Sequence, residues 1–239
     1  METPMSITKY YQYRGKLSEL SSRFSAFKRL AQPHNSTGWH PWVDRNTSKT
    51  TYDKMVFFVG KTGFGKSSTV NAITGRTCMK TSEVEACTRQ CQTLEYQVDD
   101  SHCLSMADLP GVGESQSRDQ EYRKMYRDFL KKAAAVVYLV RVDSRDFAID
   151  QAVLEQLCQE IPGLEQRLII AVGQCDKAEP ISRQASNEPT MEQWRTIQAK
   201  VAEVDRIFSP YWPVVAYSAA TGWNLEVLAE RMIDVLNAN

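Results

Sequence analysis

One loop constrains the fold of this chain more than any other feature. Residues 60–67 read Gly-Lys-Thr-Gly-Phe-Gly-Lys-Ser, which is the pattern G-x-x-x-x-G-K-S. A short apolar run at 55–59 precedes the loop, and a helical pattern begins at Ser67. A glycine-rich turn between a strand and a helix is the context of a phosphate-binding loop, or P-loop. The sequence therefore predicts an α/β fold with a phosphate site at residues 60–67.

The residue types in this loop explain its chemistry. Glycines let the backbone wrap closely, so that its N–H groups point at phosphate oxygens, and the start of the helix adds a positive dipole end. Lys66 is expected to place a positive charge on the β- and γ-phosphates, and the Ser67 hydroxyl to bind Mg²⁺. The residues expected to bind the nucleotide here are Lys61, Thr62, Gly63, Phe64, Gly65, Lys66, Ser67 and Ser68.

Strand and helix patterns alternate along the chain after this point. The strand-like runs are 55–59, 94–98, 103–107, 135–140, 168–172 and 214–217, and the helical runs are 67–74, 118–132, 149–161, 192–208 and 225–236. Such alternation is typical of a parallel sheet with helices on both faces. We therefore predict a mainly parallel six-stranded sheet flanked by helices, in a domain that covers residues 51–239.

Residues 1–50 are predicted to form an N-terminal extension that contains an amphipathic helix. Apolar residues recur at helical spacing over 16–31, with lysine and arginine between them. They are Leu17, Leu20, Phe24, Phe27 and Leu30. Two interpretations remain open, because the helix can pack on the core or can serve as a surface for a partner or a membrane.

Composition restricts the partners and the compartment. The chain has 29 basic and 29 acidic residues, so its net charge gives no indication of nucleic-acid binding. The first residues lack the apolar core of a signal peptide, and no apolar run approaches the roughly 18 residues that a membrane span needs. The six cysteines form no C-x-x-C pair, as expected for reduced thiols in the cytoplasm.

A second motif, Asp108-Leu-Pro-Gly111, follows a predicted strand. In P-loop proteins an acid at this place reaches Mg²⁺, and the glycine N–H meets the γ-phosphate. Thr88, between the two motifs, is expected to bind Mg²⁺ in the triphosphate state and to release it after hydrolysis, with Thr81 and Thr93 as alternatives. Lys66, Thr88 and Gly111 are the expected catalytic residues, and Ser67, Thr88 and Asp108 the expected metal ligands.

Two further strings follow later strands, Gly173-Gln-Cys-Asp-Lys177 and Ser218-Ala-Ala. With the first two motifs and Thr88, their order resembles the motifs of Era/TrmE/septin-like P-loop GTPases, in the translation-factor-related class. The strings around the P-loop and Asp108 also resemble Era-like GTPases of bacterial genomes and prophages, and to a lesser degree the immunity-associated GTPases. The resemblance covers about residues 54–239.

The resemblance implies GTP or GDP and Mg²⁺ as cofactors, and assigns roles at the base. Asp176 would accept two hydrogen bonds from guanine, an arrangement that adenine cannot offer. Gln174 would lay its side chain on the base. The loop Ser218, Ala219 and Ala220 would approach guanine O6.

The sequence departs from the family pattern at several positions. At the position of the family motif N-K-x-D, this chain has Gly173 in place of the asparagine and Gln174 in place of the lysine. Loss of the asparagine removes a contact to the base edge and a strut to the P-loop. Val112 stands where Ras-like GTPases have a water-orienting glutamine. Gly63 stands where some Era-like proteins have an asparagine that supports potassium. The remaining candidates for a catalytic side chain are Glu114, Ser115, Gln116 and Arg118.

These observations predict slow intrinsic hydrolysis of GTP, stimulated by an unidentified protein activator or by self-association across the nucleotide face. Such a protein would act as a molecular switch. Two alternatives are a nucleotide-bound interaction module with little turnover, and a P-loop NTPase of relaxed base specificity. A membrane partner is possible but is not indicated.

Overall fold

A mostly parallel, eight-stranded sheet forms the centre of the molecule. The computed structural model describes residues 10–31, 38–43, 50–79, 92–111, 125–181 and 186–238. The spatial order is β1-β4-β5-β3-β6-β7-β8; β2 pairs antiparallel with β3 and β4 antiparallel with β5, and the other pairs are parallel. The strands are β1 Tyr10–Lys16, β2 His40–Val43, β3 Thr50–Gly60, β4 Gln92–Gln97, β5 His102–Asp108, β6 Ala133–Arg141, β7 Leu168–Gly173 and β8 Val215–Ala216.

Helices cover both faces of this sheet, which explains why its strands are almost continuously apolar. In β3, Val56 and Phe58 pack with the helices of residues 17–23, 66–74 and 225–238, whereas Phe57 and Val59 pack with those of residues 125–130, 148–160 and 191–208. The helices are α1 Leu17–Arg23, α2 Lys66–Thr74, α3 (residues 125–130), α4 Ala148–Glu160, α5 Leu164–Arg167, α6 Met191–Phe208 and α7 Leu225–Ala238, with 3-10 helices at Ser25–Ala31 and Cys175–Lys177. Within these described residues, no helix has the length and apolarity needed to cross a bilayer.

The predicted α/β architecture is confirmed, but over the described residues the sheet has eight strands instead of six. Both additional strands lie within residues 1–50. β1 reads Tyr-Tyr-Gln-Tyr-Arg-Gly-Lys, and β2 is only four residues long and contains a proline. Neither has the apolar run or the alternation that predicts a strand from sequence. Pairing with β4 and β3 forms these strands instead.

The predicted N-terminal helix is two shorter helices. α1 ends at Arg23, the backbone of the next residue, Phe24, is extended (φ −132°, ψ 115°), and a 3-10 helix follows. Of the apolar residues, Phe24 packs at the margin of the core that contains α2 and α7, and the others are buried within it. Arg23 donates from Nε to Ile73 O (3.2 Å) and from Nη2 to Ala72 O (3.0 Å), at the end of α2. The interpretation that the extension packs on the core is therefore confirmed, while the domain boundary at residue 51 stays a prediction.

The parallel strands bring the sequence motifs together. β3, β5, β6 and β7 share one direction, so the loops that follow them emerge at the same edge of the sheet. That edge is where α/β proteins of this kind bind ligands.

Candidate functional site

The P-loop begins where β3 ends, and two glycines shape it. Gly60 has φ 145°, and a Cβ there would lie 2.6 Å from the carbonyl oxygen of Leu139 in β6. Gly65 has a left-handed backbone (φ 88°, ψ 21°) and caps the start of α2. Between them, the Phe64 N–H donates to Lys61 O at 3.2 Å. These conformations are open to glycine and strained for other residues, so the strand can turn directly into the helix.

Lys66 is buried on the first turn of α2 and its ammonium is held by the loop itself. The Nζ atom donates to Gly60 O and to Lys61 O, at 3.1 Å in each case. A lysine charge and a helix N-terminus on one turn of backbone form a suitable site for a phosphate group.

Ser67 and Asp108, two of the three predicted magnesium ligands, are in direct contact. The Ser67 hydroxyl donates to Oδ2 of Asp108, which is fully buried at the end of β5. Hydroxyl and carboxylate oxygens are the donors that Mg²⁺ prefers, and this ion commonly takes its other ligands from phosphates and water. In the part of the chain that the structure describes, no three His, Cys, Asp or Glu side chains gather into a protein-only metal site. The donor set therefore fits a nucleotide-bound Mg²⁺.

The loop after β5 packs closely on the P-loop. A Cβ added at Gly111 would lie 2.1 Å from Oγ1 of Thr62 and 2.6 Å from its backbone nitrogen. The Tyr126 hydroxyl of α3 donates to the Pro110 carbonyl and so holds this turn from the other side. Only glycine fits at residue 111, and the predicted γ-phosphate contact lies directly beside the P-loop.

The two loops that are predicted to bind the base are joined to each other. The Ser218 hydroxyl donates to Oδ1 of Asp176 at 2.6 Å and itself accepts from the Thr221 N–H at 3.2 Å. Asp176 and Ser218 line a cavity of about 170 Å³, together with Gln193, Trp223 and residues 186–189. Ser218 thus fixes the orientation of the carboxylate that is predicted to select guanine.

Gln174 connects the base loop to the P-loop. Its backbone is left-handed (φ 58°, ψ 36°), and its Nε2 donates to Gly63 O at 2.9 Å. We expected the loss of the family's asparagine at residue 173 to remove a strut to the P-loop. This expectation is wrong in part, because the Gln174 amide supplies a strut.

Lys61 has a partner that the sequence pattern did not indicate. Its ammonium lies 2.7 Å from Oδ2 of Asp150 on α4, a fully buried carboxylate, and Tyr138 of β6 donates to the other carboxylate oxygen at 2.8 Å. Burial raises the pKa of Tyr138 well above its usual value, so this hydroxyl remains a donor. The side chain of Lys61 therefore ties the P-loop to α4, which leaves its backbone for the predicted nucleotide contact.

The other predicted residues differ in burial. Thr93, the alternative to Thr88, is buried in β4 opposite Ala107. Ser68 and Ala220 are exposed and Ala219 is half-buried. The predictions for Thr81, Thr88, Val112, Glu114, Ser115, Gln116 and Arg118 concern positions outside the described residues.

Comparison with known proteins shows which family has this fold and these motifs. Residues 55–173 match the family of 50S ribosome-binding GTPases. The chain carries a P-loop GTPase domain. It is 36% identical over 187 residues to the protein YkfA of Escherichia coli K12, an alignment that covers 78% of this chain. The chain spans only 63% of the length of YkfA.

Two solved structures show the same fold. Toc33 from Arabidopsis thaliana, bound to Mg²⁺ and GMPPNP, has a TM-score of 0.64 at 15% identity and covers 93% of this chain and 92% of its own. Era bound to MgGDPNP and 16S ribosomal RNA has a TM-score of 0.60 at 18% identity and covers 77% of this chain and 57% of its own. The predicted resemblance to Era-like P-loop GTPases is confirmed.

Proposed function

We propose that this protein binds GTP with Mg²⁺ and hydrolyses it slowly to GDP, as a molecular switch in the cytoplasm. The contact between Ser67 and Asp108, beside the buried ammonium of Lys66, carries this proposal. It joins residues from two separate motifs at the edge of the sheet where Asp176 and Ser218 also meet. A P-loop without the contact between Ser67 and Asp108 would support only phosphate binding.

Each part of the site has a distinct task in this proposal. Lys66 places positive charge on the β- and γ-phosphates, and the Gly111 N–H meets the γ-phosphate. Ser67 and Asp108 would hold Mg²⁺, which would supply positive charge to neutralise the phosphate oxygens. Asp176, oriented by Ser218, accepts hydrogen bonds from guanine and leaves adenine unpaired.

The identity of Val112 supports slow turnover. A valine side chain can neither donate nor accept a hydrogen bond, so it cannot orient the attacking water as a glutamine does. We propose that a protein activator or a second copy of this chain supplies the missing group. For the chloroplast translocon components atToc33 and psToc159, dimerisation is important for the GTPase activity.

The same observation favours a second candidate function, a nucleotide-bound interaction module that barely hydrolyses GTP. In the switch, Thr88 and the segment after Gly111 order around the γ-phosphate and release it after hydrolysis. In the module, the nucleotide serves to hold the structure. The relaxed-specificity NTPase remains a third candidate because of Gly173.

Phosphate release from GTP tests the proposal. We expect a rate constant on the order of 10⁻⁴ to 10⁻² s⁻¹ in dilute protein, with a higher rate per molecule in concentrated protein or in cell extract. The Lys66→Ala variant measures the background. A fast rate in dilute protein would contradict the need for a partner. Tight GDP binding without turnover under any condition would favour the interaction module.

A further inference from the structure

The glycine at residue 173 is explained by its neighbour Tyr217. The backbone of Gly173 is not left-handed, so its conformation does not require glycine. However, a Cβ built there would lie 3.1 Å from the Tyr217 hydroxyl oxygen and 3.3 Å from Cζ of the ring. The tyrosine side chain fills the space into which a longer side chain at residue 173 would project.

The Tyr217 hydroxyl ends at the phosphate-binding helix. It lies 2.6 Å from Oγ1 of Thr69 on α2, and Thr69 donates its own hydroxyl hydrogen to Gly65 O at 2.7 Å. Because a hydroxyl has only one hydrogen, Tyr217 is the donor in its bond to Thr69. Burial raises the pKa of Tyr217, so this donor stays protonated at all physiological pH values.

The backbone of Tyr217 is bonded to the base loop as well. Its N–H donates to Val172 O at 2.9 Å, and its carbonyl accepts from the Cys175 N–H at 3.2 Å. The next residue, Ser218, orients Asp176. Tyr217 therefore connects Asp176, the carboxylate predicted to select guanine, through Ser218 and Thr69 to Gly65, the glycine that caps the start of α2.

We propose that Tyr217 is a positioning residue of the guanine site, which takes over the mechanical task of the family's asparagine but not its contact with the base. The proposal rests on the proposed binding of guanine nucleotides. On its acceptor edge guanine presents N7 and O6, and O6 is assigned to the loop of Ala219 and Ala220. Because Tyr217 gives its hydrogen to Thr69, N7 receives no hydrogen bond from either Tyr217 or Gly173.

The first experiment removes only the hydroxyl. Tyr217→Phe keeps the ring that fills the space beside Gly173 and leaves Thr69 without its donor. We expect the Kd for GDP with Mg²⁺ to rise about 5-fold, and KM for GTP to rise with turnover at saturating GTP unchanged. Tyr211→Phe, at a tyrosine that is 64% exposed, is the matched control and should bind as wild type. A Tyr217→Phe variant with wild-type affinity would overturn the positioning role.

The second experiment replaces both residues and tests for a hydrogen bond to N7 of guanine with 7-deaza-GDP, which lacks that nitrogen. Wild type should bind GDP and 7-deaza-GDP equally well. Gly173→Asn alone should lose binding because the new side chain collides with Tyr217. Gly173→Asn combined with Tyr217→Thr should recover GDP affinity and prefer GDP over 7-deaza-GDP by about 5-fold. A wild type that already prefers GDP, or a double variant that fails to recover, would contradict the proposal. Absence of GDP binding by wild type would instead refute the proposed function, and this inference with it.

Discussion

The two ends of the nucleotide site follow the pattern of related GTPases to different degrees. At the phosphate end Lys66, Ser67, Asp108 and Gly111 all match the family motifs. At the base end only Asp176 of the N-K-x-D motif is retained. The base end is nevertheless held in place, since Gln174 and Tyr217 connect its loops to the P-loop and α2.

This difference reflects what each end must supply. Phosphates and Mg²⁺ require a positive charge, a hard oxygen donor and bare backbone, and few residue types offer these. Neither Gly60 nor Gly111 has space for a side chain. A base loop must be held in position, and the longer amide of a glutamine or the hydroxyl of a tyrosine can do this in place of an asparagine. We therefore expect the phosphate end to be constrained residue by residue, and the base end to tolerate exchanges that preserve volume and hydrogen bonds.

Lys66→Ala should have the largest effect, because it removes the only side-chain charge assigned to the phosphates. We expect the affinity for GTP and GDP to fall about 100-fold, as for loss of a strong charge-assisted bond. Titration of a fluorescent GDP analogue measures the change. The exposed Lys28 provides the control, since Lys28→Ala removes a positive charge without contact to the site. Loss of less than 3-fold on Lys66→Ala would show that the phosphate end does not dominate binding.

Gly111→Ala should separate the triphosphate from the diphosphate. The added methyl group collides with Thr62, so the turn must move away from the γ-phosphate position. We expect turnover of GTP to fall about 10- to 100-fold, because a displaced donor loses part of the roughly 100- to 1,000-fold that one transition-state donor supplies, while GDP affinity changes little. Thr62→Ala in the same protein should not restore turnover, because the Thr62 backbone nitrogen remains 2.6 Å from the methyl position. Recovery on that change would mean that the side chain alone causes the conflict.

Gln174→Ala should have the smallest effect of the three. It removes one neutral hydrogen bond to Gly63 O, and such bonds contribute about 1 kcal/mol. We therefore expect GDP to dissociate about 5-fold faster in a stopped-flow chase. The exposed Gln198 is the matched control, and Gln198→Ala should leave the rate unchanged. An effect as large as that of Lys66→Ala would show that the base end is as intolerant as the phosphate end.

The sequence predicted the architecture and the phosphate end because both depend on local patterns. The run from 55 to 67 encodes a strand, a turn and a helix within thirteen consecutive positions. Asp108 and Gly111 directly follow the predicted strand 103–107, and this position identified the second motif. The five apolar residues of the extension were likewise predicted to share one helix face, and the structure decides between the two interpretations by packing that face on the core. The break at Phe24 was not predicted. Helical repeats of 3.0 and 3.6 residues differ too little over so short a segment to be distinguished.

The missed features join positions that are distant in the chain. Lys61 meets Asp150 across 89 positions, and Tyr217 meets Thr69 across 148. No periodicity or short spacing relates such pairs, so the sequence showed only that an asparagine was absent at residue 173. The structure shows its replacement, because Tyr217 packs against residue 173 and fills the space beside it. Strand β1 was missed for the same reason, since pairing with the distant strand β4 forms it. Strand β2 pairs with β3, the next strand in the chain, and was missed because its four residues include a proline and show no alternation.

Exchange of Asp176 for asparagine tests most directly whether the two ends form one guanine-nucleotide site. Fluorescent GDP, GTP, ATP and XDP analogues would be titrated with Mg²⁺ against wild type and Asp176→Asn. An asparagine amide donates where the carboxylate accepts, and xanthine presents a carbonyl in place of the guanine amino group. The account predicts that wild type prefers guanine nucleotides and that Asp176→Asn prefers xanthine nucleotides. Equal binding of ATP by wild type, or a variant with unchanged base preference, would contradict it.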